Sequence, residues 1–233
     1  MAIPTGPRAE PRVPLSRERV LRAAVSLADA GGIESLTMRN LAEALGVEAM
    51  SLYYHVANKK ALLDGVVEVI MSEIDEAVSR TDAPSAEDDW KTALRLRILA
   101  AREILLRHRW APGLFETHST NGAVVRYINA LVGVLRGGGF SYDLIHHAIH
   151  VLGSRALGFT QELFEPDTNN AGDEASTEMV AQMADQLPYL VEMMAEVAHD
   201  DPDSTLGWCD DQFEFEFGLD LILDGIERLR ATA

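Results

Sequence analysis

Apolar and polar residues alternate along this chain with the period of helices. From Ser16, a residue type suited to capping, apolar positions fall at Val20, Ala24, Leu27 and Ala28, and Gly31-Gly32 stops the pattern. Thr37 is the next cap, followed by Met38, Leu41, Ala42 and Leu45, with Gly46 where a left-handed residue ends a helix. In EAMSLYYHV, Ala49, Leu52 and Val56 share one face of a third helix and Met50, Ser51 and Tyr54 the other. A longer pattern runs from Asn58 to about Arg80, and the acidic stretch Thr81 to Asp89 separates it from Trp90 to Arg107. Asn121 to Leu135, Tyr142 to Leu163, Met179 to Val197 and Gln212 to Leu229 repeat the helical period, broken by Gly137-Gly138-Gly139, EPDTNNAGDEAST and HDDPDST. No alternating β-branched run competes, so the pattern predicts an all-α chain. Residues 1–14 hold four prolines and no periodicity, which predicts a disordered tail.

Composition narrows the class. With 233 residues, 47% apolar and 24% charged, the chain can bury a substantial core. No apolar run approaches the ~18 residues of a membrane span, and prolines occupy the place of a signal peptide's apolar stretch, so the expected setting is the cytoplasm, with no membrane partner. Cys209 is the single cysteine, which excludes an intrachain disulfide, a Cys-rich zinc site and a CxxC pair.

A net charge of -17 argues at first against nucleic acid, but the charge is unevenly spread. Residues 1–62 hold 8 basic and 6 acidic residues, whereas residues 63–233 hold 12 and 31. If the chain approaches phosphate, it does so with its N-terminal end. There, two short helices joined by a glycine turn, the second carrying outward hydrogen-bonding groups, have the spacing of a helix-turn-helix. Many helical hairpins share that spacing, so it does not decide function by itself.

The residues carry more. The stretch LTMRNLAEALGVEAMSLYYHVANKKALLDGV resembles the DNA-binding domain of the tetracycline-repressor (TetR) family of bacterial regulators over about residues 15–65. The resemblance places Ser51, Tyr53, Tyr54 and His55 on the recognition helix, Thr37 and Arg39 at the start of the helix before it, and Lys59 against a phosphate. Those roles suit the chemistry: Arg39 can fork onto guanine, Ser51 and Tyr53 can donate to phosphate, and Tyr54 offers a flat face to thymine methyls. The chain departs from the tetracycline repressors at Ala49 and Met50, where they have glutamine and proline, and at Tyr54, where they have tryptophan. Its operator should differ accordingly. The expected organisation is a helix-turn-helix domain over 15–62 and a larger helical ligand-binding and dimerisation domain over 63–233.

In the last helix, Glu216, Asp220, Asp224 and Glu227 form one acidic stripe, while Phe213, Phe215, Phe217, Leu219, Leu221, Ile222, Ile226 and Leu229 cover the rest. So wide an apolar arc asks for two partners: its own core, and the same helix of a second subunit approached at Gly218 and Gly225. The helix from Tyr142 has a seam of Ile145, Ala148, Leu152, Ala156, Phe159 and Leu163 that could complete a four-helix interface. Two central helices of a monomer would show the same periods; the family resemblance implies a homodimer.

The resemblance continues through GGGFSYDLIHHAIHVLGSRALGFTQEL and FEFEFGLDLILDGIERL, and implies a small-molecule effector. Glu162 stands where tetracycline repressors have a glutamate near drug-bound magnesium. Phe115, however, replaces the metal-binding histidine and Ser154 another pocket histidine, which argues against a magnesium-tetracycline ligand. By chain position Trp110, Phe115, His118 and Asn121, with His108 nearby, are further effector candidates. Asp143, His146 and His150 share a helix face at a spacing a metal could use, but such histidines more often line surfaces, so neither metal nor cofactor is expected. Asp200, Asp201 and Asp203 lack the glycine of an EF-hand loop.

The expected function is a ligand-responsive transcriptional regulator, foremost a repressor, that binds palindromic double-stranded operator DNA as a dimer. The competing class is a di-iron helical enzyme. It needs two ExxH motifs, and the chain has one, Glu196 to His199; no HExxH, GxSxG, Walker or GxGxxG stretch supplies other machinery.

Overall fold

The computed structural model describes residues 14–158, 187–189, 192 and 211–231. Among the described residues the elements are helices and no strand: α1 (Arg17–Gly31), a 3-10 turn (Ile33–Ser35), α2 (Met38–Leu45), α3 (Ala49–Leu52), α4 (Lys59–Ser79), α5 (Ala86–Arg107), α6 (Ala111–Thr117), α7 (Gly122–Gly137), α8 (Tyr142–Gly158) and α9 (Asp211–Arg230). The expected all-α class is therefore observed. The N-terminal tail, Phe159, Glu162, Leu163, most of Met179 to Val197, the Glu196–His199 motif, Asp200 to Asp203 and Cys209 lie outside the described residues.

The capping expectations at Ser16 and Thr37 hold atom by atom, and Asn58 caps the next helix in the same way. Ser16 Oγ accepts from Arg19 N, Thr37 Oγ1 from Asn40 N at 3.1 Å and Asn58 Oδ1 from Ala61 N at 2.8 Å, each satisfying a donor that the first helical turn leaves free. Gly46 closes α2 at φ 65°, ψ 37°, in the left-handed region where a side chain is costly. In α5, Asp89 leaves the helical region (φ -152°, ψ 80°), and its carboxylate accepts from Thr92 N at 3.0 Å, so the regular helix begins at Trp90. These hydrogen bonds from Thr92 hold the Asp89 carboxyl below its ordinary range.

The described chain forms two compact units. The first, drawn from Met1–Thr81 and Ala100–Asn129, packs α1 against α2 and α4, α2 against α3, and α4 against α6. Its core includes Val20, Leu21, Leu36, Leu41, Leu52, Leu62, Val66 and Ile70, all buried. The second, drawn from Asp82–Leu99 and Ala130–Ala233, packs α8 against α9 around Leu135, Phe140, Leu152, Leu219 and Leu223. Trp90 meets Phe140 edge-on at 4.6 Å, and Arg230 donates to Gly138 O at 2.6 Å.

Two details of the second unit alter the sequence picture. The acidic stripe of α9 faces α5: Arg95 Nε donates to Asp220 at 2.7 Å and Arg95 Nη2 to Glu216 at 2.6 Å, Trp90 Nε1 donates to Glu227 at 2.8 Å, and Lys91 pairs with Asp224. The described part of the α8 seam is also internal. Ile145, Ala148 and Leu152 are buried within the single chain, because α8 uses that face against its own core; they are not a free surface for a partner. The side α8 exposes carries His146, His147, His150 and Val151. On α9, Phe215, Leu219, Leu223 and Ile226 are buried while Phe213, Phe217, Leu221 and Leu229 stay exposed, so the expected two apolar faces are both there.

Candidate DNA-binding and effector sites

The candidate reading surface is built by burial on one side of a single helical turn. Leu52 and Val56 anchor α3 in the core of the first unit, and the backbone continues past Leu52 as a turn, with His55 N and Val56 N both donating to Leu52 O at 2.9 Å. The α-helix is thus shorter than the sequence pattern suggested, and Tyr53, Tyr54 and His55 lie in its trailing turn. That anchoring pushes the other side chains outward. Tyr54 is 90% exposed, Tyr53 43% and Met50 72%, an expense of apolar area that a domain core would not leave in water without a use. Ser51 and His55 are half-buried beside them.

The flanking elements complete the surface. Arg39 is exposed in the first turn of α2, and Thr37, half-buried, spends its oxygen lone pair on the α2 cap while keeping a hydroxyl proton to donate. Asn40 Nδ2 donates to Ser35 O at 2.8 Å and fixes the entry of α2. Lys59 is exposed at the first position of the 21-residue α4, where the helix dipole already favours an anion. Lys60 is instead paired with Asp64 at 2.7 Å.

Of the effector candidates, Trp110, Phe115, His118 and Asn121 belong to the first unit. Trp110 Nε1 donates to Asp29 Oδ1 at 2.8 Å, so its polar edge points to α1. Phe115 is buried on α6. His118 holds Leu114 O through Nδ1 at 3.0 Å, its Nε2 lies 3.8 Å from Asp64 Oδ1, and Asn121 Nδ2 donates to Asp64 O at 3.1 Å. His118 and Asn121 therefore converge on α4 five residues after Lys59. Glu162, and the side chain of Ser154, lie outside what is described.

A polar node escaped the sequence reading. His108, at the end of α5 and buried, places Nδ1 2.7 Å from Asp29 Oδ1 on α1 and Nε2 3.2 Å from Glu73 Oε2 on α4. Both ring nitrogens thus lie within hydrogen-bond reach of a carboxylate. No local pattern links residues 29, 73 and 108. Beside this node runs a cleft of about 940 Å³ along α1 and α4, walled by charged groups such as Arg17, Glu68, Glu76 and Arg80. Its walls are unlike the mostly apolar lining of an organic-molecule pocket.

Among the described residues no set of three or more side chains is placed to hold a metal ion, and no helix is long and apolar enough to cross a membrane.

Comparison with known proteins places both parts of the chain. A family model described as bacterial regulatory proteins, tetR family, matches residues 20–66, and one described as the tetracyclin repressor-like C-terminal domain matches residues 83–230. The tetracycline repressor protein class C of Escherichia coli is 29% identical over 221 residues, covering 94% of this chain and 93% of that protein. A possible TetR family transcriptional regulator from Streptomyces coelicolor A3(2) superposes with a TM-score of 0.70 at 29% identity, covering 92% of this chain and 100% of the other. A TetR variant from Acinetobacter baumannii, solved in complex with minocycline, gives a TM-score of 0.64 at 25% identity over 93% of this chain and 95% of its own.

Proposed function

The chain belongs to the tetracycline-repressor (TetR) family of transcriptional regulators and is not an enzyme, and from that premise we propose that it is an operator-binding repressor, released by an organic effector. The observation that carries this reading is the outward set Tyr53, Tyr54, Ser51 and Arg39, held by the buried Leu52 and Val56 and flanked by the exposed Lys59. Two copies related by a two-fold axis place two such surfaces about 34 Å apart, one turn of DNA, and read an imperfect palindrome. Phosphate contacts from Tyr53, Ser51, His55, Thr37 and Lys59 set the register, and Arg39 and Tyr54 read base edges. Dimerisation is supported by the exposed Phe213, Phe217, Leu221 and Leu229 on α9, together with the outer side of α8 rather than its buried seam.

The effector reading rests on the second half of the chain. The minocycline complex of the Acinetobacter baumannii relative supports a polycyclic or similarly sized organic molecule, and Phe115 at the place of a metal-binding histidine favours one held without magnesium. Trp110, Phe115, His118, Asn121 and Glu162 remain the candidate effector residues. His118 and Asn121 give the effector a handle on α4 through Asp64, and α4 begins at the DNA-facing Lys59. An effector that binds the released conformation a hundredfold more tightly than the reading one lowers operator affinity by at most that factor.

Footprinting on the DNA flanking the protein's own gene tests the reading. A protected, two-fold symmetric site is expected, lost for Tyr54→Ala. Uniform protection without a preferred site would refute operator recognition.

A further inference from the structure

Met50, on the outward side of α3, carries a chemistry that operator recognition does not use. It is 72% exposed, whereas Leu52 and Val56 on the opposite side are buried. Its backbone is fixed, the carbonyl accepting from Tyr53 N at 3.3 Å, so the thioether stands in water from a defined position on the side that also carries Tyr54. The other methionines among the described residues are covered: Met71 on α4 is 2% exposed, and Met38 at the start of α2 is half-buried. An unbranched thioether is apolar and adaptable, and in a major groove the apolar partner it meets is the thymine methyl. Met50 therefore combines three properties: an oxidisable atom, free access to it, and a place on the surface that reads DNA.

We propose that Met50 is a modification site through which a hydroperoxide switches operator binding off; the proposal rests on the operator-binding reading above. The sulfur lone pair attacks the hydroxyl oxygen of the peroxide, an S–O bond forms as the O–O bond breaks, and the departing oxygen takes the hydroxyl proton and leaves as water or an alcohol. Sulfur loses two electrons, the peroxide gains them, and the product is methionine sulfoxide. Access to sulfur orders the sites, so Met50 is oxidised ahead of Met38 and Met71. The sulfoxide is polar and finds no partner on a thymine methyl. Burying one such group in each half of a dimer lowers operator affinity by at least about tenfold. Bound operator in turn covers the sulfur, so DNA-bound protein is oxidised there more slowly than free protein. Methionine sulfoxide reductases, one for each epimer at sulfur, return the thioether and make the change reversible.

The test treats the full-length chain with hydrogen peroxide, with and without saturating operator, and maps sulfoxides by peptide mass spectrometry. Operator affinity is measured by fluorescence anisotropy after a thiol reductant has reversed disulfide or sulfenic-acid formation at Cys209. Met50 should be oxidised first and be protected by operator, and the parent should lose at least about tenfold in affinity, regained only with both sulfoxide reductases. Met50→Leu, whatever its starting affinity, should hold it within about twofold through the same treatment, and Met50→Gln, a polar chain of similar length, should bind more weakly than the parent without peroxide. A parent oxidised at Met50 whose affinity stays within about twofold, a Met50→Leu protein that loses as much as the parent, or equal oxidation of Met50 with and without operator would overturn the proposal. An untreated parent that protects no symmetric site would defeat the operator reading, and this proposal with it, before any oxidant is added.

Discussion

Replacing His108 with alanine removes the side chain that joins α1, α4 and the end of α5. The Nδ1 bond to Asp29 at 2.7 Å is short and charge-assisted, of a kind contributing about 1.5–3 kcal/mol. The Nε2 bond to Glu73 at 3.2 Å is longer and adds about 1 kcal/mol at most. Both carboxylates are about a third exposed (33% and 35%), so water recovers roughly half of this sum, leaving about 1–2 kcal/mol. Deleting a buried ring from a packed site adds a further ~1–2 kcal/mol. The total, about 3 kcal/mol, corresponds to a melting temperature lower by about 6–12 °C for a chain of this size. The assay is thermal and urea unfolding at one fixed protein concentration, because association would otherwise shift the midpoint. His108→Asn, which keeps a donor near the Nδ1 position, should recover about half the loss. An alanine variant melting within about 1 °C of the parent would refute the idea that this node holds the helices together.

Further expectations follow from the other contacts. A Cβ on Gly138 would stand 2.6 Å from Trp90 Cβ and Cγ, so Gly138→Ala should destabilise by about 1–3 kcal/mol in denaturant titration. Gln212 and Arg95 hold the Glu216 carboxyl below its ordinary 4.5, so its contribution is complete above that value and fades as pH falls through the depressed range. The stability gap between Arg95→Ala and the parent should therefore shrink in acid; a gap that widens would contradict the pairing. For DNA, Lys59→Ala should weaken binding to every sequence and reduce the salt slope by about 0.9 per subunit, about 1.8 for the dimer, whereas Arg39→Ala should relax preference at one base position of each half-site by about 1–3 kcal/mol, both read by fluorescence anisotropy.

What could be read from sequence was what local chemistry determines. Ser16 and Thr37 cap the helices that follow them because a short polar side chain before an apolar period has one favourable geometry, and Gly46 ends α2 for a similar reason. The outward Tyr53 and Tyr54 were legible because Leu52 and Val56 already fill the buried face. The helix α6 was not, since Pro112 and Gly113 in its first turn interrupt any apolar period although proline fits the start of a helix. Periodicity also identifies a face without naming what covers it. Ile145, Ala148 and Leu152 have the pattern of a subunit seam and serve as internal core, and the acidic stripe on α9 found its partners in Trp90, Lys91 and Arg95, more than 120 residues away. The His108 node joins three segments whose sequences carry no mutual signal.

The most direct test of an effector-released repressor is reciprocity between its two ligands. Fluorescence anisotropy on the footprinted operator, repeated against a panel of mid-sized aromatic and polycyclic compounds first with magnesium and then in EDTA, identifies a compound that lowers DNA affinity. Its own affinity is then measured for the free protein and for the protein–operator complex. The account predicts that the compound binds the free protein more tightly by the same factor by which it weakens DNA binding, without magnesium, and that Asn121→Ala reduces that factor. A compound that binds free and DNA-bound protein equally, or a releasing compound whose effect disappears in EDTA, would contradict it.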